Sequence, residues 1–261
     1  MVEVGPHRKH AGIPQAVQDL THTFRYNDLA TVEEGIDEDT ACVILEPTVF
    51  EAPKPGFLAG LRALCDKHGA LLIFDEIPTG LGKTGRMFAC EHDGVAPDIL
   101  VMGKALGGGI LPIAAVLARP ELDVAEEWAF GHYTHEKNPV TCRAALTTIE
   151  IIEDERLVEN AARVGAMALA RLEEMRRRHP LIGDVRGRGL LLGVELVADR
   201  AAKTPAKDRA EAIMYRALDK GLSFKTTMGN VLTLTPPLTI TEAEMGRALD
   251  ILEECIAEAG A

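Results

Sequence analysis

No stretch of this chain of 261 residues reaches about 18 uninterrupted apolar residues, so no membrane-spanning helix is expected. The opening MVEVGPHRKHAG lacks the apolar core of a signal peptide. Positive charge is in deficit. Against 40 Asp and Glu there are 28 Lys and Arg, a formal net charge of -12, which argues against a nucleic-acid-binding or anionic-membrane surface. The five cysteines (Cys42, Cys65, Cys90, Cys142 and Cys255) contain no C-x-x-C pair. An odd count without metal-ligand spacing points to reduced thiols and a cytoplasmic location. Internal repeats and low-complexity tracts are also missing. What is there is a globular composition, 47% hydrophobic and 26% charged, long enough for one large domain or two smaller ones.

Residues 1–40 carry Gly5, Pro6, Gly12 and Pro14, several histidines and little hydrophobic periodicity. They read as an irregular lead segment lying over something already folded, with a disordered tail as the alternative. Regularity begins at 41. Short apolar strands are expected at 41–45, 71–74, 99–102 and 113–117, and a helix over 57–68 with Gly69 as its stop signal. Apolar strands alternating with helical segments indicate an α/β fold with a mainly parallel sheet covered on both faces. The region 41–155 is therefore assigned to a large domain. Residues 156–261 form a smaller α/β carboxyl-terminal domain. Helices are expected there at 157–178, 206–220 and 242–258, and strands at 190–197 and 231–234.

Lys104 carries the most information. It follows the apolar run Ile99-Leu100-Val101-Met102 and Gly103, and precedes Ala105-Leu106-Gly107-Gly108-Gly109. A lysine at the end of a buried strand, beside glycines that let a bulky ligand approach, is poorly explained as surface charge. In an apolar pocket, desolvation favours the neutral amine that Schiff-base chemistry needs. Asp75 ends another apolar run, Leu71-Leu72-Ile73-Phe74, although a strand-end aspartate can also cap a helix. A lysine and a carboxylate at strand ends are what pyridoxal phosphate requires. The lysine binds the aldehyde, and the carboxylate keeps the ring nitrogen protonated so that the ring accepts electrons. In parallel sheets ligands gather at the carboxyl ends of strands, and Glu46, Asp75 and Lys104 all fall there.

The stretch Asp75-Glu76-Ile77-Pro78-Thr79-Gly80-Leu81-Gly82-Lys83-Thr84-Gly85 comes first in an ordered series. Pro97-Asp98-Ile99-Leu100 and Gly103-Lys104-Ala105-Leu106-Gly107-Gly108-Gly109 follow it. With Glu46-Pro47, Thr134 before Asn138-Pro139, Arg186-Gly187-Arg188-Gly189-Leu190 and Pro236-Pro237-Leu238, the series resembles the class III pyridoxal-phosphate aminotransferases over about residues 40–260. The resemblance implies the fold-type I architecture and a homodimer with active sites at the subunit interface. Lys104 would be the Schiff-base lysine and proton carrier, and Asp75 the partner of the pyridinium nitrogen. Ile77 would pack on one ring face, and Glu46 would be a further cofactor residue. Thr134 would bind the cofactor phosphate in the neighbouring subunit's site.

Three departures stand out. Pro78 occupies the place of a glutamine that hydrogen-bonds the ring hydroxyl, and proline has no side-chain donor. Thr233 stands where many members have an arginine that grips a substrate carboxylate, and a threonine cannot form a bidentate charged clamp. Glu51, which in such members pairs with that arginine, would then meet a cationic group. Arg186 and Arg188 either support the substrate side or only orient a turn. The third departure is length. The family's glycine- and serine-containing phosphate loop and its ring-stacking aromatic residue have no counterpart before Glu46. The chain accordingly reads as the carboxyl-terminal portion of such an enzyme, from a late start codon or a split gene, with a separate amino-terminal fragment as a possible partner.

Other motifs are weaker. Gly82-Lys83-Thr84 resembles the end of a phosphate-binding P-loop, but position 77 is isoleucine rather than the required glycine. His132, His135 and Glu136 lack the helical H-E-x-x-H order of a zinc site and read better as a dimer contact, so no metal is expected. The function expected is transfer of an amino group from an amine or amino acid to a keto acid. A racemase or ammonia-lyase of the same family, or a noncatalytic dimerisation partner, is the alternative.

Overall fold

The computed structural model describes residues 11–124, 127–128 and 133–260. Residues 1–10 of the lead segment and His132 lie outside this range. The chain forms two compact units. Unit 1 gathers residues up to Thr48, Pro53–Pro78 and Cys90–Ile149; unit 2 gathers Val49–Ala52, Thr79–Ala89 and Glu150–Ala261.

In unit 1 the lead segment contributes two short helices, α1 (Gln15–Gln18) and α2 (Leu29–Glu33). It is pinned by Tyr26, whose hydroxyl donates to the carbonyl of Pro47 at 2.9 Å and whose ring meets Phe57 edge-on at 5.2 Å. β1 (Cys42–Leu45), α3 (Phe57–His68), β2 (Leu71–Asp75) and β3 (Ile99–Met102) follow. α3 buries Phe57, Leu58, Leu61 and Cys65, one stripe at helical spacing, and stops at Gly69, whose φ of 71° lies in the left-handed region. Strands β1, β2 and β3 are parallel neighbours. The expected fourth strand is β4 (Ala115–Ala118), two residues later at its start than the apolar run implies, and antiparallel to β3. Its ladder starts at Ala115 because the partner, Met102, is the last residue of β3. The sheet is therefore mainly parallel, in the order β1-β2-β3-β4. α4 (Pro139–Asp154) comes next in the chain.

Asp98 fixes the parallel core. It accepts the Leu72 N–H at 2.7 Å and pairs with Arg62 at 2.8 Å and Arg119 at 3.1 Å. Burial pushes its carboxyl upward, but the Leu72 N–H and the two guanidinium groups outweigh that and hold it below the usual range.

Unit 2 begins with α5 (Leu157–Arg178), followed by β5 (Ile182–Arg188), β6 (Leu191–Asp199), β7 (Thr204–Pro205), α6 (Lys207–Asp219), β8 (Lys225–Thr227), β9 (Val231–Leu234) and α7 (Glu242–Gly260). The antiparallel order is β5-β6-β9-β8, with β7 on β6. One sheet face, carrying Val185, Leu192, Val194, Leu232 and Leu234, forms a core with Leu172, Met175, Ile213, Leu249 and Leu252 of the helices. β5 and β8 have no apolar run of their own. They are strands because β6 and β9 supply the hydrogen-bonding edges.

Candidate active site

In unit 1 the parallel register assembles the site. Leu45 pairs with Phe74, so Glu46 and Asp75 follow side by side at the carboxyl ends of β1 and β2. Asp75 pairs in turn with Val101, three residues before Lys104. The half-buried Asp75 turns one oxygen back to accept the N–H of Ile77 at 3.0 Å. Ile77 lies against the end of β3, where a Cβ built on Gly103 would sit 3.5 Å from its Cγ1. Glu46 feels both of the other charged groups. Enclosure by the surrounding protein and then the like charge of Asp75 push the Glu46 carboxyl above its ordinary range, while Lys104 opposes them. The Glu46 side chain is nevertheless reachable from solvent.

Lys104 differs from the expectation of an apolar pocket. It is exposed and opens a 3-10 turn, Lys104–Gly107, rather than ending the strand. Its φ of 42° places a lysine in the left-handed region, at a cost of about 1–3 kcal/mol, a kind of strain concentrated at functional sites. Thr134 lies in an exposed turn closed by the Glu136 N–H donating to the Tyr133 carbonyl at 2.9 Å. Among the described residues, no hydrogen bond or ion pair ties Thr134 to Glu46, Asp75 or Lys104.

The residues expected on the substrate side gather in unit 2. Gly193 of β6 is flanked in register by Arg186 of β5 and Thr233 of β9, which places both on one sheet face. Phe50, next to the exposed Glu51, covers that face, with its Cδ1 3.2 Å from where a Cβ on Gly193 would stand. Arg186 donates to Asp184 and to Glu195, each at 2.6 Å. Burial works against its charge, but these two carboxylates outweigh it and raise its pKa. Thr233 is 2% exposed, and its hydroxyl shares a hydrogen bond of 2.8 Å with Thr227.

Two polar residues to which sequence reasoning gave no such role hold the neighbouring segments. Glu76, 1% exposed, accepts the Cys90 N–H at 2.8 Å. Lys83 donates its ammonium to the Pro236 carbonyl at 2.7 Å, and burial lowers its pKa to about 8. The available signal was their place within the ordered motif, where each polar residue sits among glycines and apolar positions.

Comparison with known proteins identifies the family. The class-III aminotransferase family profile matches residues 4–256. An (R)-1-hydroxy-2-aminoethylphosphonate ammonia-lyase from Vibrio splendidus is 45% identical over 81% of this chain and 44% of its own length. The mitochondrial ornithine aminotransferase of Rattus norvegicus is 38% identical over 90% of this chain and 53% of its own. The crystal structure of acetylornithine aminotransferase from Elizabethkingia anophelis superposes with a TM-score of 0.83 at 36% identity, covering 90% of this chain and 59% of that one. The chain belongs to the class-III aminotransferase family, with the mixed α/β, parallel-sheet architecture of fold-type I. It spans about half the length of the curated relatives it matches.

Proposed function

We infer that this chain carries the lysine half of a pyridoxal-phosphate site and serves an aminotransferase reaction between an amine or amino acid and a keto acid. The observation that carries the reading is the convergence of Glu46, Asp75 and Lys104 at neighbouring strand ends. The donor set fits the cofactor: an exposed primary amine, a carboxylate for a pyridinium nitrogen and the aliphatic Ile77 for a ring face. When bound, the cofactor supplies an aldehyde and an electron-accepting ring. Lys104 would hold that aldehyde, and its amine would carry a proton at the substrate carbon. Asp75 keeps the ring nitrogen protonated. Thr134 serves the phosphate in a neighbouring subunit, which makes a homodimer the working assembly. By the resemblance, Glu51 would meet the cationic end of a donor and Arg186 would support it; Thr233, buried against Thr227, lends no charge. The cytoplasm suits five free thiols.

Elimination or racemisation is the second reading. Two observations favour it: Thr233 offers no cation for a carboxylate, and an ammonia-lyase at 45% and a leucine/methionine racemase at 43% identity are among the relatives. Titration with pyridoxal phosphate tests the common core. The chain should develop a near-violet absorbance band that borohydride abolishes, and Lys104→Ala should lack it; a band retained in that variant removes the reading. Asp75→Asn should keep the cofactor and lose most activity. Screening amines, ω-amino acids and α-amino acids against pyruvate and 2-oxoglutarate separates the chemistries. A transaminase consumes keto acid, a racemase needs none, and a lyase releases ammonia without an acceptor.

A further inference from the structure

The pyridoxal ring bears a hydroxyl beside its aldehyde, and that oxygen needs a hydrogen-bond partner once the ring leaves water. This inference rests on the cofactor reading above. At the strand ends of unit 1, Lys104 is committed to the aldehyde and Asp75 to the ring nitrogen. One Asp75 oxygen is further occupied by the Ile77 N–H. Ile77 and Pro78 carry no polar side-chain atom. Glu46 stands one residue beyond β1, beside Asp75 in the register, within electrostatic reach of Lys104 and open to a ligand. We propose that Glu46 is the partner of the ring hydroxyl, its carboxyl donating a hydrogen bond to that oxygen where a proline at position 78 cannot.

A carboxyl donates only while it holds its proton. Enclosure by the protein and the like charge of Asp75, from the end of β2, favour that form, and Lys104, from the turn after β3, opposes it. Asp75 is committed to the ring nitrogen, so the two carboxyls take different roles because of where they stand, as paired carboxyls at other sites do. The hydrogen-bonded proton comes from solvent and remains between two oxygens. No net transfer is required.

The full chain is titrated with pyridoxal phosphate in four forms: wild type, Glu46→Gln, Glu46→Ala, and Glu46→Ala combined with Pro78→Gln. The readouts are the dissociation constant and the wavelength of the borohydride-sensitive band. Glu46→Ala should weaken binding about tenfold, as loss of one hydrogen bond near a charge does. It should also displace the band. Glu46→Gln, whose amide still donates, should stay within about threefold of wild type. In the double variant a donor returns at 78, and affinity should recover most of the loss. Wild-type affinity in Glu46→Ala overturns the proposal. So does a Glu46→Gln as weak as the alanine variant, or a double variant that recovers nothing; each leaves the Lys104 reading intact. A wild-type chain without the Lys104-dependent band overturns the cofactor reading and this inference together.

Discussion

Lys83 is the residue whose charge is most at odds with its surroundings. Its ammonium donates to a backbone carbonyl, that of Pro236, and burial lowers its pKa to about 8, against about 10.4 in an unfolded chain. Between those values the unfolded chain binds more protons than the folded one, so stability rises with pH through that window. Below about 8 both states are charged, and the full penalty of burying the ammonium is present. Replacing the side chain with methionine removes that dependence. Urea midpoints measured from pH 7 to pH 10 should therefore show wild type gaining on Lys83→Met as pH rises. Parallel profiles would mean that the ammonium is solvated in the folded protein. At this scale the sequence told unevenly. The places of Lys104 and Asp75 near the ends of their strands were legible because apolar runs and glycines frame them. The left-handed φ of Lys104 and its exposure were not, because a turn's backbone angles leave no periodic trace.

Elements are held together in unit 2 by backbones that touch. A Cβ on Gly165, in α5, would lie 2.2 Å from the carbonyl oxygen of Gly189. One on Gly189, whose φ is 53°, would lie 2.4 Å from the backbone of Thr84. The Leu190 N–H then donates to the Lys83 carbonyl at 2.9 Å, closing a three-way contact that admits no side chain. Gly165→Ala should cost roughly 3 kcal/mol or more, because only backbone can give way. Gly246→Ala, in α7 with nothing within 4 Å of the added carbon, should be neutral or stabilise by up to about 1 kcal/mol. Thermal melts of the two variants check the pair, and equal effects would refute the close approach. The long helices were readable because α3 and α5 each bury one stripe of apolar residues over several turns. β5 was not, since Ile182–Arg188 reads IGDVRGR, and its strand character comes from pairing with β6 rather than from its own side chains. The same holds for the polar β8.

On the scale of the whole molecule, the sheet of unit 1 ends, among the described residues, in two edges, β1 and β4. Ile44 on β1 is 55% exposed, and Val116 on β4 is 67% exposed. Unpaired strand edges with apolar side chains are templates for association. The 261-residue polypeptide is therefore expected to self-associate, and Ile44→Lys with Val116→Lys should shift it toward monomer in sedimentation velocity runs. A phosphate dianion is normally held by a nest of backbone N–H groups and a helix amino terminus. Here Thr134, in an exposed turn, is the phosphate residue the family resemblance supplies. Pyridoxal phosphate should thus bind this polypeptide weakly, and binding should tighten with protein concentration if Thr134 acts across a subunit boundary. A titration repeated at several protein concentrations measures that dependence, and Thr134→Ala should abolish it. Tight, stoichiometric binding by a monodisperse monomer would show that the phosphate is held by other residues and that the sheet edges are stable in water as they stand.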